Sequence, residues 1–113
     1  MTKNANFKDL TPKRLLTPER LISIFKKRDV ARAILFGSEA RGGETKKSDL
    51  DLLIVYKTQK RFFDRYDEFE EIYDVMKGRA VDLLIYTPEE LASISHRPFI
   101  KGILAEGRTI YER

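Results

Sequence analysis

Two aspartates, Asp49 and Asp51, flank Leu50 at the opening of the apolar run Leu50-Asp51-Leu52-Leu53-Ile54-Val55-Tyr56. If that run is a strand, side chains alternate between its faces, so the two carboxylates project together while Leu50 and Leu52 point the other way. A third acid, Asp82, is set inside a comparable run, Ala80-Val81-Asp82-Leu83-Leu84-Ile85, where an ionised side chain is poorly solvated and unfavourable unless something compensates it. Each acid alone reads as a solvated strand-end residue or as the partner of a lysine; the three placements together read as one cluster. Two carboxylates about 4 Å apart repel by about 4 kcal/mol at an effective dielectric near 20, a repulsion that a divalent cation turns into attraction. The chain has no cysteine and a single histidine, His96. Any metal is therefore held by oxygen, which points to magnesium or manganese.

Ahead of this cluster, "LFGSEARGG" places Gly37 and Ser38 directly after another apolar run. A turn that is unhindered at the glycine presents backbone N–H groups and a hydroxyl to phosphate oxygens. Arg41, Lys46 and Lys47 add positive charge close by, although lysines in a polar loop are ordinarily only solvated. His96, just before Arg97-Pro98, reads as a helix-end or surface residue rather than a catalytic base.

The elements that must position these groups follow from periodicity and punctuation. Thr17-Pro18-Glu19 and Thr87-Pro88-Glu89 each offer a capping hydroxyl, a proline suited to the first helical position and an acid in the first turn, so both open helices. The first runs to about Lys27 with Leu21, Ile22 and Phe25 inward, and "VARAILFG", "LDLLIVY" and "AVDLLIY" read as strands. Phe62, Tyr66, Phe69, Tyr73 and Met76 recur at steps of four and three, the stripe of an amphipathic helix that Gly78 is placed to end. Helix after Pro88 is interrupted near Pro98, and "RTIYE" closes as a short edge strand. The short loop between the first two strands allows antiparallel pairing, and the helix between the second and third permits a parallel crossover. The expected fold class is α/β (α+β), a small mixed β-sheet with helices packed mainly on one face. Residues 15–113 read as a single domain, and residues 1–14 as a polar segment prone to fraying.

Composition bounds the function classes. The 113 residues carry 22 lysines and arginines against 18 acids, a net charge of +4, which suits phosphate-bearing ligands. Charged residues reach 35% with few Asn, Gln, Cys and Met, a balance of the kind thermophilic proteins show. No apolar segment resembles a signal peptide or approaches the ~20 residues needed to cross a bilayer, so the expected location is cytoplasmic with no membrane partner.

The string Gly37-Ser38-Glu39-Ala40-Arg41-Gly42, followed by Ser48-Asp49-Leu50-Asp51-Leu52 and then by Asp82, resembles the signature of the nucleotidyltransferase superfamily related to DNA polymerase beta. In a chain this short it looks like the minimal nucleotidyltransferases (MNT), the antitoxin components of HEPN/MNT toxin-antitoxin pairs, and "ILAEGRTIYER" is similar to the family's ending. The resemblance implies a nucleotidyltransferase fold in which Asp49 and Asp51 bind two magnesium ions, manganese being the alternative. Asp82 would complete the metal site and help activate the attacking hydroxyl. Gly37 and Ser38 would hold the β- and γ-phosphates of ATP, with Arg41 and Ser48 also at the nucleotide. The implied activity is protein adenylylation: in-line attack on the α-phosphorus of ATP, release of pyrophosphate, and transfer of AMP to a tyrosine of a cognate HEPN ribonuclease toxin, neutralising it.

A second expectation is an antitoxin that acts by binding and occluding the toxin, for which the acidic positions Asp64, Asp67, Glu68, Glu70, Glu71 and Asp74 suit a basic partner. A third is a nucleic-acid module using Lys57, Lys60, Arg61 and Arg65; direct nucleic-acid binding is the weaker expectation. Transfer to a small molecule is disfavoured because such enzymes generally carry a second domain to hold the acceptor.

Overall fold

A computed structural model describes residues 18–37, 50–77 and 79–113. Helix α1, Pro18–Lys27, opens on proline, carries Glu19 in its first turn and Lys26 and Lys27 in its last, each charge opposed to the helix dipole at its end. It buries Leu21, Ile24 and Phe25, the i, i+3, i+4 face of a helix, while Ile22, expected inward, falls beside that face and is only half-buried. The chain leaves α1 through Asp29, whose φ is 58°. Val30 N–H donates to Phe25 O at 2.9 Å and Asp29 N–H to Lys26 O at 3.1 Å, the paired closure of a Schellman turn with aspartate where glycine is usual.

Strands β1, Arg32–Phe36, β2, Leu50–Val55, β3, Val81–Tyr86, and β4, Arg108–Glu112, form a four-stranded sheet in the order β3-β2-β1-β4. β1 pairs antiparallel with β2 and with β4, the latter across an irregularity between Ala33 and Ile34. β2 and β3 run parallel, so the sheet is mixed, as the loop lengths require.

Between β2 and β3 the expected amphipathic helix is divided into a 3-10 helix, Phe62–Phe69, and α2, Glu70–Val75. Helices α3, Pro88–Ile94, and α4, Pro98–Glu106, are separated at the predicted proline break. No helix among the described residues is long and apolar enough to cross a membrane.

The larger core lies on one face of the sheet. There Leu50, Leu52 and Ile54 of β2 and Leu83 and Ile85 of β3 pack with Phe25, Phe69, Ile72 and Met76 from α1, the 3-10 helix, α2 and the turn after it. The other face carries a smaller cluster, Ile34, Leu53, Val55, Ile100 and Ile103, edged by half-buried Leu91 and Ile94. Helical cover is therefore heavier on one side, with α3 and α4 placed on the other.

The aromatic stripe is core only in part: Phe69 and Met76 are fully buried, whereas Tyr73 keeps 40% of its surface exposed. What the 3-10 turn brings inward instead is Arg65, 4% exposed. Its guanidinium donates to Ile85 O at 3.1 Å, to Lys60 O at 3.0 Å and bidentately to the Glu90 carboxylate at 2.7 and 2.9 Å. Tyr66 donates its hydroxyl to Leu83 O at 2.7 Å. β3 is an edge strand, and at its two ends Ala80 O accepts from Leu50 N–H and Tyr86 O from Tyr56 N–H, so Leu83 O and Ile85 O face outward, and these donors supply what a further strand would have. Arg65 is thus withdrawn from the basic group with Lys57, Lys60 and Arg61 in which the sequence placed it. A strand edge needing donors outweighs the exposure that arginine normally keeps.

Glu90 has two tasks: it partners Arg65 and closes a capping box with Thr87 at the start of α3. The hydrogen bonds from Arg65, followed by that from the Thr87 backbone, hold its pKa down at about 2 against an ordinary 4.5. A depressed carboxylate contributes stability that is complete above its unfolded pKa and lost as pH falls through the folded one. Urea unfolding should therefore show stability falling between about pH 4.5 and 2, with a shallower fall in Glu90→Gln. Arg65→Ala should lower stability at pH 7 by about 1–3 kcal/mol, the order expected when a buried acceptor such as Ile85 O loses its donor, the half-exposed Glu90 being left to water.

Candidate active site

The parallel register sets Asp51 of β2 directly opposite Asp82 of β3, and the antiparallel register sets the same Asp51 opposite Phe36 at the end of β1. Adjacent strands lie about 4.8 Å apart and residues in register share a face, so the carboxylates of Asp51 and Asp82 emerge side by side. They stand on the α3 and α4 face, at one end of the sheet. Behind them Leu50 and Leu52 are fully buried on the opposite face, which fixes the direction in which Asp51 points.

Gly37, the residue after β1, has a φ of +80°. A Cβ there would collide with the Asp51 carboxylate. Glycine is required on both counts: the left-handed backbone disfavours other residues, and the space a side chain would need is filled by Asp51. Three adjacent strands thus contribute, in order across the sheet, Asp82, Asp51 and the Gly37 turn.

Asp82 is exposed, which corrects the expectation of a poorly solvated acid within β3. The strand lies at the sheet edge and Asp82 is its second residue, so water reaches the carboxylate even though Leu83 and Ile85 beyond it are buried. Its charge is still felt nearby: burial and then the negative charge of Asp82 push the Tyr73 phenol above its ordinary pKa. Asp49, Ser38, Arg41 and Ser48 lie outside the described residues, so the structure brings together Asp51, Asp82 and Gly37 of the expected set. His96 is exposed, as expected of a residue at a helix junction.

Among the described residues no group of three or more His, Cys, Asp or Glu is placed to hold a metal ion. Asp51 and Asp82 supply two, all-oxygen and on one face, and a third donor from Asp49 would make a set suited to a hard divalent cation. One neighbouring feature had no counterpart in the sequence reading: a pocket beside Gly37, walled by Phe36 and α4. Its signal in the sequence was Gly102, a poor helix former inside a helix that carries only Lys101 and Glu106 as charged residues.

Residues 19–113 match the family "Polymerase beta, Nucleotidyltransferase", and the chain belongs to that family. A relative from Methanocaldococcus jannaschii, named "Putative protein adenylyltransferase MJ1305", is 36% identical over 89 residues, covering 75% of this chain and 60% of that protein. The chain therefore spans less than two thirds of that relative's length. Among solved structures, a "putative nucleotidyltransferase" from Sulfolobus solfataricus aligns with a TM-score of 0.62 at 21% identity, over 93% of this chain and 86% of that one. A structure described as "the toxin-antitoxin with AMP-PNP" aligns with a TM-score of 0.63 at 17% identity, over 87% of this chain and 75% of that one. The fold is accordingly the nucleotidyltransferase fold.

Replacing Gly37 with alanine should lower stability in urea titrations by at least about 1–2 kcal/mol, the range for a single non-glycine residue forced into left-handed backbone, to which the collision with the Asp51 carboxylate adds. Substitution at Gly102, whose backbone is helical and whose Cβ would meet nothing within 4 Å, should carry no such penalty.

Proposed function

We propose that this chain is a magnesium-dependent protein adenylyltransferase and an antitoxin, transferring AMP from ATP to a tyrosine of a HEPN ribonuclease toxin. The observation that carries the reading is the lateral order Asp82, Asp51, Gly37 across β3, β2 and β1. An in-line displacement needs the attacking oxygen, the phosphorus and the leaving oxygen arranged in a row. Asp82 on the open edge strand takes the acceptor side, Asp51 with Asp49 the α-phosphate, and Gly37 with Ser38 the β- and γ-phosphates. Arg41 and Ser48 take supporting places at the nucleotide.

Magnesium held by Asp49, Asp51 and Asp82, with manganese as a substitute, would supply positive charge against the oxygens of the transferring phosphate. The chain's own residues position and orient. Asp82 accepts the hydrogen of the tyrosine hydroxyl as its oxygen bonds to the α-phosphorus. The bond from that phosphorus to the bridging oxygen breaks, and pyrophosphate leaves past the glycine turn, whose bare backbone lets phosphate oxygens approach closely. The relative named as a protein adenylyltransferase and the toxin-antitoxin structure with a nucleotide analogue support both the chemistry and the partner.

A second reading, neutralisation by occlusion, is favoured by the exposed acids Asp64, Asp67, Glu70 and Asp74, which suit a basic partner. Two neighbouring acids are engaged within the fold instead: Glu68 accepts from the Tyr56 hydroxyl at 2.8 Å, and Glu71 from Lys27 at 2.8 Å.

The test is intact mass spectrometry of the protein incubated with ATP, magnesium and the small protein that co-purifies from its native host. The partner should gain the mass of AMP, and chelation with EDTA should abolish the gain. Asp51→Asn should slow it by roughly 10²–10³-fold, the loss typical of removing one electrostatic contributor. Undiminished transfer in Asp49→Ala would falsify the catalytic assignment, and a stable complex without mass gain would leave occlusion as the function.

A further inference from the structure

The carboxylates occupy one half of the sheet end; the other half opens into a pocket of about 270 Å³ whose lining includes Phe36, Gly37, Phe99, Gly102, Ile103 and Glu106. Gly37 is the wall that the two halves share, since it lines the pocket and abuts the Asp51 carboxylate. We propose that this pocket is the nucleobase site, with Phe99 as the stacking platform, Gly102 providing clearance and Glu106 reading the amino edge of the base. The proposal rests on the nucleotidyltransferase reading of the site and assigns the part of the nucleotide that the reading leaves unplaced.

Position decides between nucleotide and acceptor. With Asp82 on the acceptor side, an in-line reaction brings the attacking hydroxyl over β3 and sends the leaving pyrophosphate the opposite way, over β2 towards β1, while the ribose hangs from an equatorial oxygen of the α-phosphorus and is free to turn towards α4. The pocket borders β1 and α4, on the far side of Asp51 from Asp82. It therefore belongs to the nucleotide. The phosphates match the glycine turn, which leaves the base, the planar apolar part, for the apolar pocket. A volume just below the roughly 300 Å³ that begins the range of whole-ligand sites suits one ring system rather than an entire nucleotide.

The lining has the chemistry of such a site. Phe99 retains 62% of its surface exposed although it is a large apolar residue, and Phe36 braces its ring edge-on at a centroid distance of 6.1 Å. An exposed ring held by a second ring is a platform for stacking. Gly102 lies inside α4, where glycine is unfavourable, and a Cβ there would touch nothing within 4 Å. The fold makes no demand for glycine at this position, whereas any side chain would fill the pocket. Glu106, exposed at the last turn of α4, offers a carboxylate that accepts from an exocyclic amino group such as that of adenine.

The experiment compares ATP with inorganic tripolyphosphate, which carries the same phosphates without base or ribose, by calorimetric titration in magnesium. Wild type, Phe99→Ala and Gly102→Leu are measured, with thermal melting of each. Phe99→Ala should weaken ATP about tenfold, the fold-change of a single base–aromatic stack. Gly102→Leu should weaken it at least as much while melting at or above the wild-type temperature, and tripolyphosphate should bind all three alike. ATP binding unchanged in both variants overturns the proposal, as does an equal loss for tripolyphosphate. Wild type that binds tripolyphosphate as tightly as ATP overturns the base pocket and leaves the phosphate reading standing. Wild type that binds neither removes that reading and the base pocket with it.

Discussion

The register between β2 and β3 is the constraint on which the rest depends. β2 is the central parallel partner, and Leu52, Leu53, Ile54 and Val55 are buried on both of its faces. Sliding β3 by one residue would turn Leu83 and Ile85 out of the larger core and carry Asp82 to the wrong side of the sheet. Each well-packed apolar residue beyond the carboxylates therefore also fixes where the carboxylates stand. Packing and placement are here one specification, which is how two like charges can be kept side by side at the heads of two adjacent apolar strands.

The edge of β3 is maintained by the opposite strategy, polar rather than apolar. Arg65 and Tyr66 reach across from the 3-10 helix to the two outward carbonyls, and Glu90 ties Arg65 to the start of α3. The connection between β2 and β3 and the helix after β3 are thereby joined through one guanidinium. Phe62 lies against Arg65 at 5.9 Å and also contacts Tyr86 and Tyr66, so aromatic rings shelter the guanidinium while the Glu90 carboxylate stays in reach of water. An edge closed in this way resists pairing with a stray strand while leaving the start of β3, where Asp82 stands, accessible.

The elements with strong local signals were legible in the sequence. Proline, threonine and glutamate marked the start of α3, where the capping box is found, and unbroken apolar runs marked the strands. Parallel and antiparallel pairings followed from connection lengths, and the grouping of Asp82 with Asp51 in one cluster from their like placement in apolar runs and from the motif; their pairing in register did not. What was not legible depends on sheet position, which no local window contains. Asp82 was expected to be desolvated because its neighbours are apolar, but an edge strand begins in solvent. Arg65 was expected outside because arginine usually is, but that same edge needed donors. Phe62 to Met76 kept an apolar period near that of an α-helix, yet its first half tightens into a 3-10 turn, a difference that the placement of Arg65 makes consequential and that periodicity does not resolve. Phe99 and Gly102 gave only the weak signal of a glycine out of place.

The pairing of β4 with β1 joins residues from nearly opposite ends of the described chain, Arg32 with Glu112 and Leu35 with Arg108. Contacts of such long sequence separation form late, because the entropy of closing the intervening loop is lost before any contact is gained. The parts of the site consequently differ in the span of chain they need: β2 and β3 can pair through their own connection, while the α4 wall beside Gly37 packs on Ile34, Leu53 and Val55 only once the chain beyond β3 has returned to the sheet. A partly folded chain would hold its carboxylates in place with one side of the cleft still missing. Completion of the fold and completion of the cleft are then the same event, and local opening at the β4 edge would loosen the α4 wall before it disturbed Asp51 and Asp82.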